Sequence, residues 1–419
     1  MSMKMRYGND YTDTGFNEDF FDAVLTARDV SDIGDPEECF LRKITGLEGN
    51  DSLMMRLKAK QPKAVSIIVE DKTRKNPEYP KFLKHTVAMI KQETIAHVFV
   101  VVAYGTHSKH CLEEHISLYG QDTINGVTLV DHDCHCEESL SFLGTLPSGN
   151  DLKINGVVAK SDFIITFGTV EPHAFAGFTG GRKAILPGVS AYETIRFNHS
   201  MVCLENVALG QLDKNPVHED MQAAAGLVKV DYTIQLVRNP RGNLCGLFAG
   251  ELDEAFHSAV TLCRSIASVG ISREADLVFV SCGGRPKDAS LYHSQRAITA
   301  GVMACRKGGL VVVFAQLTEG VGNNQFHQCL KLPLSNMLSM KREEIDIGVH
   351  SAWLTAKNLS KCKILLYSQM SPDIASGIGL LSVSDKDTLK GIIKDRFPQK
   401  PLSYAIPNGS EVIVELGTR

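Results

Sequence analysis

Three apolar runs in the first half of the chain, PKAVSIIVE, HVFVVVAYG and SDFIITFGTV, are short, rich in β-branched residues and free of polar alternation. A strand covered on both faces has this pattern, because neither side of it meets water. Between the first two runs, YPKFLKHTVAMIKQ spaces its apolar residues at the helical period, as the crossover of a βαβ unit does. An irregular segment follows, in which DYTIQLVRNPRGNLCGLFAGE predicts a hairpin turned at NPRGN. The rhythm then restarts, with ADLVFVSCGG, GGLVVVFAQL and CKILLYSQ reading as buried strands separated by helical stretches. The predicted fold class is α/β: two doubly wound, Rossmann-like domains with an active-site cleft between them.

A chain of 419 residues exceeds the usual size of one core, which agrees with two domains. We place the first at residues 1–265 and the second at 271–389, with a hinge near residues 262 to 272. The segment 390–419 contains a further strand, SEVIVEL, which either sheet could take; a return to the first domain is the expectation. With 43% apolar and 22% charged residues the composition is that of an ordinary globular protein. A net charge of -4 gives no bulk electrostatic reason to bind nucleic acid or an acidic membrane surface. No apolar run reaches the roughly 20 residues a membrane helix needs, and the start MSMKMRYGNDYTDTGF lacks a signal-peptide core, so a cytoplasmic protein is expected. Eleven cysteines in no framework-like spacing fit reduced thiols.

In open parallel sheets, ligands bind outside the carboxyl ends of the strands, where loops converge and helix N-termini aim their N–H groups. Every polar cluster of the first domain falls at such an end. PKAVSIIVE leads into Asp71, Thr73 and Arg74, HVFVVVAYG into Thr106 and His107, and SDFIITFG into EPHAFAGFTGGRKAILPG. One strand-end histidine is ordinarily a cap or a core residue; three strand ends bearing His, Arg and Asp together point to a site. The FTGGRK segment offers backbone N–H groups and two cations suited to a phosphate, but not at the spacing of a Walker motif. A GxGxxG at the first strand-helix turn is also missing, which disfavours an ordinary dinucleotide site. A phosphate-bearing ligand beside two histidines from separate loops remains, and a reaction inverting a stereocentre needs two such acid-base groups. HDCHC, residues 132 to 136, suggests zinc superficially. Neighbouring residues rarely all reach one tetrahedral ion, and the segment reads as a polar loop after the strand GVTLV.

In order and spacing, DKTRKNP, GTHSKH, EPHAFAGFTGGRKAILPG and RFNHS resemble the signature segments of the nickel-pincer-nucleotide-dependent lactate racemase family. The similarity continues more weakly through GGRPKDASLYHSQRA and GVHSAWLTAKNL. This resemblance implies an isomerase, a racemase or epimerase of a 2-hydroxy acid acting by hydride transfer through a 2-keto acid. The cofactor it implies is nickel held by a pyridinium-3,5-bisthiocarboxylic acid mononucleotide, loaded with the help of cofactor-synthesis enzymes. By matching position, His107 and His173 become the catalytic pair, Lys183 the thioamide attachment point and His199 the nickel ligand. Asp71, Arg74, Thr179, Gly180 and Gly181 fall at the cofactor, and Arg74, Tyr292, His293, Arg296 and Trp353 at the substrate. His293 and Arg296 depart from the Gln and Lys of lactate racemase, which points to a substrate larger or more polar than lactate. Two other readings stay open: a metal-dependent hydrolase with His107, His173 and His199 as ligands, and a non-catalytic nickel-nucleotide binding protein. The oligomeric state is not legible.

Overall fold

Ala64–Glu70 is the strand around which the first sheet is wound. Its Ile67, Ile68 and Val69 side chains are fully buried, as an unalternating apolar run requires. The computed structural model describes residues 1–47, 51–74 and 76–417. Within it the first sheet runs Leu244–Gly250, Tyr232–Arg238, Phe163–Thr169, Ala64–Glu70, His97–Ala103, Thr128–Asp131. All neighbours are parallel except Tyr232–Arg238 and Leu244–Gly250, the hairpin expected at NPRGN. The chain winds from Ala64–Glu70 outward to Thr128–Asp131, then returns to the opposite side of Ala64–Glu70 with Phe163–Thr169. That reversal opens a crevice between the loops leaving the two central strands.

Helix Tyr79–Glu93 covers one face, burying Tyr79, Phe82, Leu83, Val87 and Ile90 on a single stripe. Helix Leu252–Ala267 starts where the Glu251 carboxylate accepts the Glu254 N–H, and lays Phe256, Ala259, Val260 and Cys263 inward. The second sheet is parallel throughout: Leu381–Val383, Lys363–Tyr367, Cys305–Phe314, Ala275–Ser281, Ser403–Ile406, Ala23–Val24.

The strand pairing differs from the expected division at both ends of the chain. Ser2–Tyr7 and Asp10–Asn17 form an antiparallel hairpin, and Met3, Met5 and Phe21 pack against Leu277, Phe279 and Val312. With Ala23–Val24 beside Ser403–Ile406, the N-terminal segment joins the second sheet and not the 1–265 unit. A two-residue strand carries no periodicity, so the pattern could not reveal it. Nor does 390–419 return to the first sheet. Ser403–Ile406 enters the second, and Ile413–Leu416 pairs in parallel with Ser268–Ile271 outside both. Of the expected hinge, residues 262–267 lie inside a helix. The chain also crosses between the sheets twice, through residues 25–35 and again after Ala267.

Among the described residues no helix is long and apolar enough to cross a membrane. No cysteine forms a disulfide among the described residues. In HDCHC, His132 is buried with Nε2 at 2.9 Å from the Ser190 carbonyl, and Cys134 lies in the core.

Candidate active site

The loop after Phe163–Thr169 is fastened from beneath. The Thr179 hydroxyl donates to the Thr169 carbonyl at 2.6 Å and accepts the Glu171 N–H at 2.9 Å, while the Thr179 N–H donates to the Glu171 carbonyl at 2.8 Å. Pro172–His173 and Gly177–Phe178 close a small antiparallel ladder. Gly180 and Gly181 have φ of 79° and 53°, the left-handed region. The Gly181 N–H donates to Gln235 Oε1 at 2.7 Å. A Cβ on Gly180 would stand 2.6 Å from Gln235 Oε1, and one on Gly181 2.7 Å from the Phe256 ring. The missing Cβ atoms of Gly180 and Gly181 are thus required by the protein beneath the loop.

Arg182 completes the fastening. It is fully buried over the Phe256 ring, donating from Nε to His218 Nδ1 at 2.9 Å and from Nη2 to the Ala176 carbonyl at 2.8 Å. Gly181→Ala combines a positive φ with a ring clash and should destabilise by about 2 to 4 kcal/mol in chemical denaturation. A loss under 0.5 kcal/mol, marked as the roughly neutral range for surface changes, would show that the loop yields freely.

Above this base the loops converge. Asp71 is buried, and its Oδ2 lies 2.6 Å from His107 Nδ1. Burial opposes the charge on Asp71, yet the His107 and Thr73 hydrogen bonds hold its pKa below the ordinary value. The carboxylate can only accept, so neutral His107 carries its proton on Nδ1 and presents the Nε2 lone pair. His107 is the exposed member, with 57% of its side chain accessible. His110 ties the two loops together, its Nε2 accepting the Lys72 N–H at 3.0 Å.

His173 has the opposite tautomer. Its Nδ1 accepts the Ala176 N–H at 3.2 Å, which leaves the ring proton on Nε2. Burial, then the charges of Lys183, Arg74 and Arg296, push its pKa well down, so the ring is neutral. Lys183 follows in the same loop, and its ammonium has neither ion pair nor hydrogen bond among the described residues. Burial first, then Arg182 and Arg74, lower its pKa well below that of an ordinary lysine. The neutral amine so favoured is the nucleophilic form. Arg74 lies close by; among the described residues its guanidinium is on no carboxylate and makes one hydrogen bond, to the Thr73 carbonyl at 3.5 Å.

His199 comes from helix Tyr192–Ser200 and is buried with no hydrogen-bond partner at Nδ1. Burial, then neighbouring His350, Lys183 and His107, lower its pKa well below the usual value, opposed only weakly by the Ile195 carbonyl, which is too poorly placed to complete a hydrogen bond with Nδ1. A buried imidazole nitrogen without a partner is unusual, and neutral imidazole is the metal-binding form. Its ring stands 5.1 Å from Phe175 and 5.2 Å from His350, at 87° to the latter. His350 belongs to helix Val349–Lys361 of the second sheet's side, so the two halves of the molecule meet here. Trp353 of the same helix packs with Ile195, Val349 and Phe175, its indole N–H without a partner among the described residues.

Arg296 crosses the interface from the other side. Its Nη1 donates to Glu171 Oε2 at 3.0 Å and to the Pro172 carbonyl at 2.7 Å, directly beside His173. Glu171, raised by burial but lowered further by Arg296, Arg74 and Lys287, has its pKa brought down to about 2. Tyr292 is half-buried against Phe326 at 5.4 Å. His293 is exposed, with Nδ1 2.9 Å from Ser290 Oγ. Sequence reasoning missed Glu171 and His350 as site residues. Both stood inside quoted motifs, but no spacing rule singles out a glutamate beside a histidine or a lone helix histidine.

The Glu171 pairing sets an acid dependence. A folded pKa below the unfolded one contributes stability above about pH 4.5, and that contribution is lost as pH falls toward 2. Glu171→Gln should therefore be less stable than the wild type at pH 7 by about 1 to 3 kcal/mol. Urea unfolding should show that gap narrowing between pH 5 and pH 3; an unchanged gap would assign the loss to something other than charge.

No group of three or more His, Cys, Asp or Glu side chains among the described residues is placed to hold an ion by itself. A hydrolase site built from His107, His173 and His199 as joint ligands is therefore not formed.

Residues 7–210 match the lactate racemase N-terminal domain and residues 271–414 the lactate racemase C-terminal domain. The chain is 31% identical over 316 residues to a lactate racemase of Thermoanaerobacterium thermosaccharolyticum, covering 74% of each chain. It is 29% identical over 363 residues to a lactate racemase of Lactiplantibacillus plantarum, covering 84% of this chain and 85% of that one. The lactate racemase apoprotein structure from T. thermosaccharolyticum superposes with a TM-score of 0.91 at 27% identity, over 99% of this chain and 100% of that one. A Thermotoga maritima protein shares the fold at 19% identity, with a TM-score of 0.65 over 85% of this chain and 94% of that one. With both family domains in order and a racemase relative aligned over most of its length, the chain belongs to the lactate racemase family and is an isomerase of the racemase type.

Proposed function

We propose that this protein racemises or epimerises a 2-hydroxy acid with a nickel pincer nucleotide, and that His107 and His173 are its acid-base pair. The observation that carries the reading is the pairing of complementary imidazoles with a partnerless lysine and an orphaned histidine nitrogen. His107 presents a lone pair at Nε2 and His173 an N–H at Nε2, while among the described residues Lys183 Nζ makes no hydrogen bond or ion pair and His199 Nδ1 has no hydrogen-bond partner.

The residues fit the implied group. Lys183 would hold it covalently through its amine, and His199 would give nickel an imidazole ligand compatible with soft sulfur donors. Bound there, the group supplies hydride acceptance and return at C2. The protein's part is to orient the acid and move its hydroxyl proton. Arg74, free of any carboxylate of its own, suits the substrate carboxylate, and the His107 Nε2 accepts the hydroxyl proton. Asp71 holds His107 in the accepting tautomer. Tyr292, His293, Arg296 and Trp353 would border the rest of the substrate, a small molecule larger or more polar than lactate. In this reading the enzyme works in the cytoplasm and is loaded by cofactor-synthesis enzymes.

The test is intact-mass and metal analysis of protein made beside those enzymes, with racemisation of a panel of 2-hydroxy acids followed on the same sample. A nickel-bearing mass increment together with racemisation is expected. Racemisation by protein that carries neither nickel nor the mass increment would defeat the cofactor reading, and a loaded but inactive protein would favour a storage role.

A further inference from the structure

Arg296 and Glu171 together define one end of the site, and their hydrogen-bond capacities are unevenly used. Both bonds of the Arg296 guanidinium leave from Nη1, while Nε and Nη2 make none among the described residues. Glu171 accepts at Oε2, and among the described residues its Oε1 makes no hydrogen bond. Thr179 holds the backbone of Glu171 from both sides, and the Arg296 bond holds its carboxylate beside the loop that carries His173. Of the other cations near Glu171, Lys287 is paired with Glu411 at 3.0 Å, and Arg74 is the group assigned above to the C1 carboxylate of the substrate. Arg296 is therefore neutralised before any substrate arrives, and beside it stands an acceptor that wants a proton donor.

We propose that Glu171 is a specificity-determining residue that makes this end of the site take a neutral hydroxylated tail and reject a second carboxylate. The inference rests on the reading of Arg296 as substrate-facing in a 2-hydroxy acid racemase. A hydroxyl can accept from Arg296 and donate to Glu171 at once, whereas a carboxylate can only accept and would face Glu171 as a like charge. The substrate class that follows is a 2-hydroxy monocarboxylate bearing one or more further hydroxyls.

Two four-carbon acids of equal length separate the outcomes: 2,4-dihydroxybutanoate, with a neutral end, and malate, with a charged one. For the cofactor-loaded enzyme, kcat/KM should favour 2,4-dihydroxybutanoate by about 10-fold or more, and Glu171→Gln should shift the ratio toward malate by about 10-fold, like-charge juxtaposition costing well over one decade. In an Arg296→Met background the same Glu171→Gln change should shift the ratio less, because the partner that Glu171 neutralises is gone. Calorimetric binding of the unreactive analogues 4-hydroxybutanoate and succinate to the wild-type protein gives a readout independent of turnover and of any variant's folding. Tighter binding of 4-hydroxybutanoate is expected. Equal or tighter binding of succinate, failure to bind 4-hydroxybutanoate, or a ratio unmoved by Glu171→Gln overturns the proposal. Racemisation with an unmoved ratio would leave the racemase reading intact, and selective binding of 4-hydroxybutanoate without any racemisation would do the reverse.

Discussion

Lys183→Ala protein, produced beside the cofactor-synthesis enzymes, should show no covalent mass increment and should lose activity by about a thousandfold or more, since the cofactor carries the bond-breaking chemistry. The prediction follows from the unusual state of this side chain. A half-buried ammonium without a carboxylate partner is disfavoured, and Arg182 and Arg74 add repulsion to the desolvation. An ordinary structural lysine would have found a partner, as Lys287 does in Glu411. Lys183→Arg sharpens the test. It keeps length and charge but offers no nucleophilic amine, because guanidinium stays protonated. Both variants should therefore lack the adduct while circular dichroism and the unfolding midpoint of Lys183→Ala stay close to wild type, or rise, since a costly desolvated amine has been removed. A nickel-loaded, active Lys183→Ala enzyme would rule out a required tether. Loss of folding would instead make Lys183 a structural residue.

The positions of the loops were readable from the chain because burial imposes its own pattern. PKAVSIIVE, HVFVVVAYG and SDFIITFGTV are apolar on both sides, and each became a central strand with its polar motif at the carboxyl end. The short strands were illegible for the same reason. Ala23–Val24 and Leu381–Val383 hold too few residues to express a period, and only pairing in space defines them. Residue roles inside a recognised motif were legible only in part. The glycines of FTGGRK were expected to make room for a ligand, whereas Gln235 and Phe256, distant in sequence, are what their missing Cβ atoms avoid. Arg296 was read as a residue at the substrate, with no partner named for it. Its pairing with Glu171 depends on two loops from different domains meeting, which no local pattern encodes.

If His107 and His173 are the proposed acid-base pair, replacement of either should block interconversion from both enantiomers, because each turnover would need one imidazole to accept a proton and the other to donate one. Positioned acid-base groups contribute about 10²- to 10⁴-fold, and losses in that range are expected for His107→Gln and His173→Gln in both directions. The structure adds an asymmetry in how the two are held. Asp71 fixes His107 with its lone pair at Nε2, while the Ala176 N–H fixes His173 with its proton at Nε2. Asp71→Asn would remove the anion that holds the His107 tautomer and should lower kcat far more than it raises KM, as a positioning residue does when the substrate's own contacts remain. The isotope outcome is independent of these losses. A hydrogen leaving C2 as hydride does not exchange with water, so product formed in D2O should carry no deuterium at C2. A C2-deuterated product would mean that C2 loses a proton to an imidazole, with His107 acting on carbon. A variant of either histidine that still racemises from one side at the wild-type rate would show that the reaction needs only one of them.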